Sequence, residues 1–238
     1  MLEGAGKLEL EIRNHAVLKI GSMEVWITDT TISTWIIMGV LITLAIITRI
    51  KLKKFKDVPT GFQNVIESLV EVFDNYLRTT AGDKLMFLGN WFFTAFAFIL
   101  ISNLSGLIPS FRSPTADWTM TVMLALGTFS MIQFLAFKYR KGQYLKTFFE
   151  PVFIFLPMNI ISEIARPISL SFRLFGNMLS GLVMMSLIYT MFPPLLKFVI
   201  PAALHMYFDL FAGVLQTYIF CTLSMSFIGS ASELPEAD

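Results

Sequence analysis

Five long apolar runs constrain this chain more than any other feature of its sequence. A run of about 18 or more residues with few charges indicates a membrane-spanning helix, because about 20 apolar residues are needed to cross the hydrocarbon core. Only 15% of the 238 residues are charged, whereas soluble domains carry about 25%. The sequence therefore predicts an all-α polytopic membrane protein with five transmembrane helices.

Polar residues, prolines and charges at the ends of the apolar runs give the boundaries of each segment. Asp29 can cap the first span, and a cluster of Lys and Arg follows that span directly. We expect an extracytoplasmic tail at 1–28, transmembrane helices at 29–50, 84–109 and 117–138, an interfacial amphipathic helix at 58–80, a long tilted helix at 152–192, a last tilted helix at 201–230 and a cytoplasmic tail at 231–238.

The fourth apolar run is too long to stand upright in a bilayer. A helix of about 35 residues measures about 50 Å, whereas the hydrocarbon core is about 30 Å thick. Strong tilt or a kink is required, and Pro157 and Pro167 are the candidate kink sites. The last run is overlong as well, so we expect the last two helices to form a long tilted hairpin.

Residues 60–80 differ from the spans, because their apolar and polar side chains fall on opposite helical faces. This pattern favours a helix lying in the membrane interface. A soluble helix packed on a partner is an equally good interpretation, and the two are compatible. The apolar face consists of Phe62, Val65, Ile66, Leu69, Phe73, Tyr76 and Leu77, and the polar face of Gln63, Asn64, Glu67, Glu71 and Asp74.

Basic residues predict the orientation, since cytoplasmic loops carry an excess of Lys and Arg. Eleven of the eighteen basic residues follow the first and third spans, and five lie on the other side. With five spans, the amino end is expected outside and the carboxyl end in the cytoplasm. The net charge of +1 indicates no bulk attraction to nucleic acid.

A polar stripe runs along the fourth apolar run. Its members are three or four positions apart and so share one helical face. Arg173 lies near its middle, and an arginine keeps its charge at any working pH. At the bilayer centre an arginine costs roughly 2.5–3.5 kcal/mol on insertion scales, so it needs a partner, water or a function there. The stripe consists of Ser162, Arg166, Ser169, Arg173, Gly176, Asn177 and Ser180.

The residues around Arg173 also resemble a family signature. From Arg166 the chain reads Arg-Pro-Ile-Ser-Leu-Ser-Phe-Arg-Leu-Phe-Gly-Asn-Met, which is similar to the signature of the a subunit of F-type ATP synthases, the stator half of a proton-driven rotor. A second match reads Gly213-Val214-Leu215-Gln216-Thr217-Tyr218-Ile219-Phe220. Weaker matches are Asn103 with Leu107-Ile108-Pro109, and Pro114-Thr115-Ala116-Asp117; together the matches cover most of residues 85–230.

The resemblance implies that Arg173 faces a ring of c subunits, each carrying a carboxylate in mid-membrane. A carboxylate turning through lipid must be protonated, because the bare anion is too costly there. Near a permanent cation the anion is favoured, so Arg173 makes the arriving carboxyl release its proton. Arg173 would also oppose direct leakage between two offset aqueous half-channels. The alternative is an arginine paired with an acid of its own chain.

The resemblance also implies further partners and a location. Peripheral-stalk b subunits, other ATP synthase subunits and the lipid bilayer are the expected partners. The bacterial plasma membrane is the membrane expected.

Residues at the cytoplasmic end of the Arg173 helix are candidates for the inner half-channel. Glu163 is a candidate proton relay, and Ser162 a candidate for the wall of the channel. A solvated helix-end acid, or a partner of Arg166, is an equal alternative for Glu163. Arg166 lies two turns before Arg173 and is also a candidate for the proton pathway. The alternative is that its side chain only extends toward the cytoplasmic interface to keep its charge in water. Ser169 belongs to the same stripe and is included among the pathway candidates.

On the last helix, His205, Asp209, Gly213 and Gln216 share a face that we expect to oppose the Arg173 helix. Asp209 is an ionisable group in an apolar span and is therefore a candidate relay in the outer half-channel. Its alternative is a salt bridge with Arg173. Gln216 is a candidate polar neighbour of Arg173, with an interhelical hydrogen bond as its alternative. His205 is a weaker candidate for the same route.

Two departures from the family pattern affect the outer route. Some members carry Glu where this chain has Leu182, and His where it has Asp209. Asp29 and Asp117 are therefore added as acids that would aid Asp209. Asn177, one turn after Arg173, is expected to position water or the carboxylate, with an interhelical hydrogen bond as the alternative.

No nucleotide-binding loop, pair of catalytic acids, metal-ligand cluster or nucleophile elbow is visible in the sequence. We expect no cofactor and no metal, and ATP chemistry on other subunits. Two other classes of function compete with the stator. A secondary transporter or ion channel would bind a solute or ion near Arg173, but no internal repeat is evident. A purely structural membrane scaffold would leave the polar stripe unexplained.

Overall fold

The computed structural model describes residues 14–20, 23–52, 55, 61–108, 111–149, 152–191, 193 and 196–232. Within these ranges five helices are long and apolar enough to cross a membrane, which confirms the predicted all-α polytopic fold. The predicted tails lie outside the described residues at 1–13 and 233–238. The five helices are Asp29–Leu52, Asp83–Leu107, Trp118–Arg140, Phe153–Met191 and Ile200–Ser232.

Helices form most of the described chain, with short 3₁₀ turns at several of their ends. The 3₁₀ turns are Asp83–Leu88, Ser105–Leu107, Pro114–Ala116 and Phe153–Phe155. The α-helices are α1 Asp29–Leu52, α2 Phe62–Ala81, α3 Gly89–Leu104, α4 Trp118–Arg140, α5 Gly142–Thr147, α6 Leu156–Met191, α7 Leu196–His205 and α8 Gly213–Ser232.

An antiparallel β-hairpin precedes the first span, where the sequence analysis predicts only a tail. Strand β1 (Asn14–Ile20) pairs with strand β2 (Met23–Thr28), so that Val17 lies opposite Trp26. Apolar β-branched and aromatic residues favour such strands. The pairing is irregular at its outer end, where the register shifts between residues 14 and 16.

The hairpin leads directly into α1, and the last residue of β2 caps that helix. The Thr31 amide donates a hydrogen bond to the Thr28 hydroxyl at 3.3 Å. Thr28 therefore takes the capping role that the sequence assigns to Asp29. Asp29 lies half-buried in the first turn of α1, where a negative charge is favourable toward the helix dipole.

Contacts divide the chain into two compact units. The first unit comprises residues 1–41, 97–121 and 172–218, and the second comprises 42–96, 122–171 and 219–238. Arg173 belongs to the first unit and Glu163 to the second. Each unit contains part of α1, α3, α4, α6 and α8, because these long helices run through both.

In the second unit, α2 packs against helices of its own chain. The Phe73 ring meets Phe93 edge-on with centroids 5.3 Å apart, and the Tyr76 hydroxyl hydrogen-bonds the Thr222 hydroxyl. Near the end of α2, a Cβ added at Gly229 would lie 3.3 Å from the Ala81 Cα atom. Leu77 is buried as well, whereas other apolar side chains of this amphipathic helix, including Val65 and Val72, are exposed. Its location in the membrane interface stays a prediction.

The overlong fourth span is one α-helix of 36 residues, α6. At about 1.5 Å per residue such a helix is about 54 Å long, well beyond the hydrocarbon core. Pro167 lies in the interior of α6, whereas Pro157 lies in its first turn, where a proline removes no helical hydrogen bond. Pro167 is therefore the interior kink candidate, and the tilt of the helix stays a prediction.

The sequence predicts one continuous helix at 201–230 for the last span. The structure instead shows a helix that is interrupted. A π-helical segment, Met206–Ala212, separates α7 from α8 and contains Asp209. Such segments have i to i+5 hydrogen bonds and occur frequently at functional sites. The sequence pattern of a long apolar run does not distinguish this segment from ordinary α-helix.

Candidate functional site

Arg173 lies on the exposed side of α6. Leu170, Leu174 and Met178 on the adjoining side of the helix are buried, with Leu174 0% exposed. Arg173 is absent from the ion pairs formed among the described residues. The alternative in which an acid of this chain neutralises Arg173 therefore finds no support in that part of the structure, and the guanidinium is available to a partner.

Two carboxamide side chains in the first unit carry buried amide groups with no hydrogen-bond partner among the described residues. They are Asn177 Nδ2 on α6 and Gln216 Nε2 on α8. Gln216 is 6% exposed. A buried donor left unpaired costs about 1–3 kcal/mol, and lipid tails cannot accept a hydrogen bond. Interhelical hydrogen bonding, the alternative role for both residues, does not use these NH₂ groups, which leaves them available to water or a carboxylate.

Asp209 pairs with His205 one turn earlier along the chain. The His205 Nδ1 and Asp209 Oδ2 atoms are 2.5 Å apart, and both side chains are partly buried. The alternative salt bridge of Asp209 with Arg173 is not among the ion pairs of the described residues. His205, the weaker candidate for the outer route, thus contacts Asp209, the candidate relay of that route, directly.

A buried hydrogen-bond network next to Asp209 and Gln216 centres on Asn103, which is 0% exposed. Asn103 Nδ2 donates to the Gly213 carbonyl at 3.0 Å and to Thr217 Oγ1 at 3.1 Å. Its Oδ1 accepts from Thr115 Oγ1 at 2.8 Å. The Gly213 backbone also lies close to Asn103, since an added Cβ there would be 3.1 Å from the Asn103 Cβ. This network fixes α3 against the start of α8.

In the sequence, Asn103 and Thr115 are only parts of weak family matches. The hydrogen bonds that join them were not predicted. A signal was present, because several small polar residues fall near the end of an otherwise apolar span. Such residues bond across helices in membranes. Ser113 extends the network, since its hydroxyl donates to the Ser102 carbonyl at 2.6 Å and lies 2.7 Å from Thr115 Oγ1.

Asp117 has a structural explanation in the first unit. Its Oδ1 accepts from the Thr119 amide at 2.9 Å, which caps the start of α4. Its Oδ2 accepts from Thr30 Oγ1 at 2.9 Å, which ties α4 to α1. Both carboxylate oxygens are therefore engaged in holding helix ends together.

Glu163 and its neighbours line a cavity of about 190 Å³ in the second unit. Glu163 Oε1 lies 2.8 Å from Arg166 Nη1, so Glu163 is a partner of Arg166, as one of the alternatives proposed. The Arg166 guanidinium also lies 5.1 Å from the centre of the Phe227 ring. Ser162 lines the same cavity, whereas Ser169 is exposed on α6 and is not part of the lining.

Two further residues of this cavity region are missed by the sequence analysis. Gln133 Nε2 lies 3.5 Å from Glu163 Oε2, and the Tyr144 hydroxyl donates to Gln133 Oε1 at 2.9 Å. Burial, followed by the negative charge of Glu163, raises the pKa of Tyr144 above its ordinary value. Gln133 was detectable as a carboxamide inside the apolar third span, but nothing in the sequence indicates that Tyr144 folds back onto it.

Five helices long and apolar enough to cross a membrane, found in the part of the chain that the structure describes, define the class as an integral membrane protein. A sequence model of the family described as ATP synthase A chain matches residues 31–229. The ATP synthase subunit a, sodium ion specific, of Propionigenium modestum is 36% identical over 220 residues, covering 85% of this chain and 73% of that protein. The chain belongs to the ATP synthase subunit a family, the ion-translocating membrane subunits of the F0 sector.

Family membership decides between the classes of function that the sequence left open. The chain is a membrane subunit of an ATP synthase complex and not itself the catalytic subunit. A secondary transporter and a purely structural scaffold are thereby set aside.

Proposed function

We propose that this chain passes protons through two offset half-channels and that Arg173 makes the carboxyl groups of a c-subunit ring release their protons. The observation that carries the proposal is the position of Arg173 on an exposed face of α6, outside the ion pairs of the described residues. A guanidinium with an acid of its own would have little attraction left for a passing carboxylate. An exposed, unneutralised one retains it.

The mechanism follows because lipid favours the protonated form of a ring carboxyl, whereas Arg173 favours the ionised form. Lipid disfavours the ionised carboxylate, so a ring carboxyl crosses it protonated. Beside Arg173 the ionised form is favoured, and the proton leaves. Arg173 neither accepts nor donates that proton, because it stays protonated throughout. The membrane potential contributes about 2.3 kcal/mol per charge per 100 mV to the movement.

The outer half-channel, in this proposal, runs past Asp209 and His205 toward Gln216 and Asn177. Asp209 and His205 form a close acid–base pair, and an imidazole can donate or accept a proton near neutral pH. The two amides carry buried NH₂ groups that suit water or an incoming carboxylate. The route then does not require the Glu that some family members carry at the position of Leu182, since His205 supplies the second titratable group.

The inner half-channel begins at the cavity lined by Ser162, Glu163 and Arg166. Glu163 is the proton relay at its wall, and Arg166 holds that carboxylate in place through the 2.8 Å ion pair. Ser169, exposed on α6 between Arg166 and Arg173, continues the polar route along this helix. Asp117 and Asn103 hold the helices together. Asp29, half-buried at the start of α1, is kept as an aid to the outer route.

We propose the proton as the transported ion, because a bonded histidine and aspartate suit proton transfer. Sodium is the second candidate, since the Propionigenium modestum relative is described as sodium ion specific. ATP-driven pumping in sodium-free buffer separates the two. Undiminished acidification of proteoliposomes supports the proton, and a requirement for added sodium supports the alternative.

The partners follow from the same proposal. A ring of c subunits occupies the face of α6 that carries Arg173, and peripheral-stalk b subunits bind elsewhere on the chain. The bacterial plasma membrane is the proposed location, with the amino end outside and the carboxyl end in the cytoplasm. Clustered basic residues after the first and third spans support this orientation.

Replacing Arg173 by Ala in the reconstituted ATP synthase tests the proposal. We expect proton-driven ATP synthesis to disappear while the complex still assembles. Arg78→Ala is the matched control, because Arg78 forms an exposed ion pair with Asp83 that should contribute little. Normal synthesis in the Arg173→Ala complex would overturn the proposal, and loss of assembly would indicate a scaffold role instead.

A further inference from the structure

The short helix α5 folds back so that Tyr144 packs against the end of α4. Tyr144 is 5% exposed, and its ring meets Phe137 and Phe148 edge-on at centroid distances of 5.2 and 5.1 Å. The turn between the two helices requires a φ of +47° at Lys141, a conformation that favours glycine. A non-glycine residue stays in this conformation only when the surrounding packing determines it. The position of Tyr144 is therefore strongly fixed.

Tyr144 determines which way the Gln133 side chain faces. The Tyr144 hydroxyl donates to Gln133 Oε1 at 2.9 Å, so the amide NH₂ group is the end that faces Glu163 Oε2 at 3.5 Å. The opposite orientation would set the amide oxygen against a carboxylate oxygen, and two acceptors repel. Burial keeps the Tyr144 hydroxyl protonated by raising its pKa, so this donor persists across the working pH range.

Glu163 thus faces a donor on each of its two oxygens. Arg166 Nη1 lies 2.8 Å from Oε1, and Gln133 Nε2 faces Oε2. Arg140 is the other charged residue lining the cavity. Its positive charge and that of Arg166 lower the pKa of Tyr144, whereas the charge of Glu163 raises it. Arg166 alone would fix one oxygen and leave the carboxylate free to rotate about it, whereas a second donor fixes the plane of the group.

We propose that Gln133 and Tyr144 are positioning residues for Glu163, which hold its carboxylate in a fixed orientation at the wall of the cavity. The inference rests on the proposed role of Glu163 in the inner half-channel. Neither residue exchanges a proton with the transported ion. They act by keeping Glu163 directed into the cavity, where water reaches it, so that proton exchange does not wait for the side chain to reorient.

The test is a double-mutant cycle measured as passive proton flux through the reconstituted F0 sector. Tyr144→Phe and Gln133→Leu are each expected to slow the flux by roughly 3- to 10-fold, the scale of one ordinary hydrogen bond between protein groups. In a Glu163→Gln background neither change should slow the flux further, because the group that they position is already lost. Tyr139→Phe and Gln143→Leu are matched controls on the same two helices and should leave the flux unchanged.

The possible failures are distinguishable. If Glu163→Gln itself leaves the flux unchanged, the proposed role of Glu163 is wrong. If Glu163→Gln slows the flux but Tyr144→Phe does not, the positioning inference is wrong. Effects that add in full to that of Glu163→Gln would also overturn it, since a structural weakening acts independently of Glu163. If Gln133→Leu prevents assembly, the Tyr144→Phe cycle decides alone, because it removes one oxygen atom and keeps the ring.

Discussion

Gly106 leaves open the space that the carboxylate of Asp209 needs. A Cβ atom added at residue 106 would lie 3.2 Å from both Cγ and Oδ1 of Asp209. The carboxylate cannot swing away freely, because its Oδ2 is bonded to His205, the last residue of α7. The absence of a side chain at Gly106 is therefore a requirement for the position of Asp209.

Gly106→Ala is the first prediction that follows. The added methyl group must displace the Asp209 side chain from its preferred position, which costs about 0.5–1.5 kcal/mol and should slow proton flux by roughly 2- to 10-fold. The measurement is flux through reconstituted complexes that contain normal amounts of the chain. Gly127→Ala is the control, since nothing lies within 4 Å of a Cβ at that position. Equal flux in both variants would contradict the role given to Gly106.

Gln216 should show opposite effects on stability and activity. Its buried Nε2 has no partner, so Gln216→Leu removes no hydrogen bond from that group and should leave stability unchanged or raise it by about 1 kcal/mol. Proton flux should fall, because the amide is proposed to serve water or the ring carboxylate. Thermal unfolding in detergent and flux in proteoliposomes measure the two effects.

Gln63 provides a comparison of the same residue type. It is also buried, but its Nε2 donates to Glu67 Oε1 at 2.8 Å. Gln63→Leu should therefore lower stability and leave flux per assembled complex unchanged. A Gln216→Leu variant that is destabilised yet fully active would show that Gln216 serves only packing.

Asn103 should be the most sensitive structural residue of the first unit. Asn103→Leu would leave the Gly213 carbonyl and the Thr115 hydroxyl without the bonds that Asn103 makes to them. The bond to Thr217 Oγ1 would be lost as well, and each buried hydrogen bond contributes about 0.5–1.5 kcal/mol net, so we expect a clear fall in the unfolding temperature and in the yield of complex. Asn90→Ala, at an exposed position on the same helix, is the control. Comparable stability of the two variants would argue against the network as a clamp between α3 and α8.

Tyr144 gives a prediction for alkaline pH. Burial favours its neutral form in the folded chain, so the stability that it contributes is complete below the ordinary pKa of 10.0 and is lost as pH rises through the higher folded value. Subtracting the ultraviolet titration of Tyr144→Phe from that of the wild type should show tyrosinate only above pH 10.0. After denaturation the difference between the wild-type and Tyr144→Phe titrations should appear near the ordinary tyrosine pKa of 10.0. A native difference that titrates at or below 10.0 would contradict the burial of this hydroxyl.

The sequence was sufficient for the spans, because they depend on local pattern. Apolar length alone separates a membrane helix from other elements, and the spacing of three and four puts Arg173 on one face of α6 with Ser169 and Asn177. The Asn103 network and the Gln133–Tyr144 bond depend on which helices meet, and residues 110 positions apart carry no joint signal in one sequence. The β-hairpin was missed because residues 1–28 mix polar and apolar side chains and contain several glycines, which favours an extramembrane tail.

The π-helical segment has a consequence for how such a chain can be altered. Removing one residue between Met206 and Ala212 would restore an ordinary α-helix, and the part of the helix before the deletion would turn by about 100° relative to the part after it. His205 would then point away from its present direction while Gln216 kept its own. A single codon lost or gained thus changes the angle between the two ends of the helix without touching the identity of either residue.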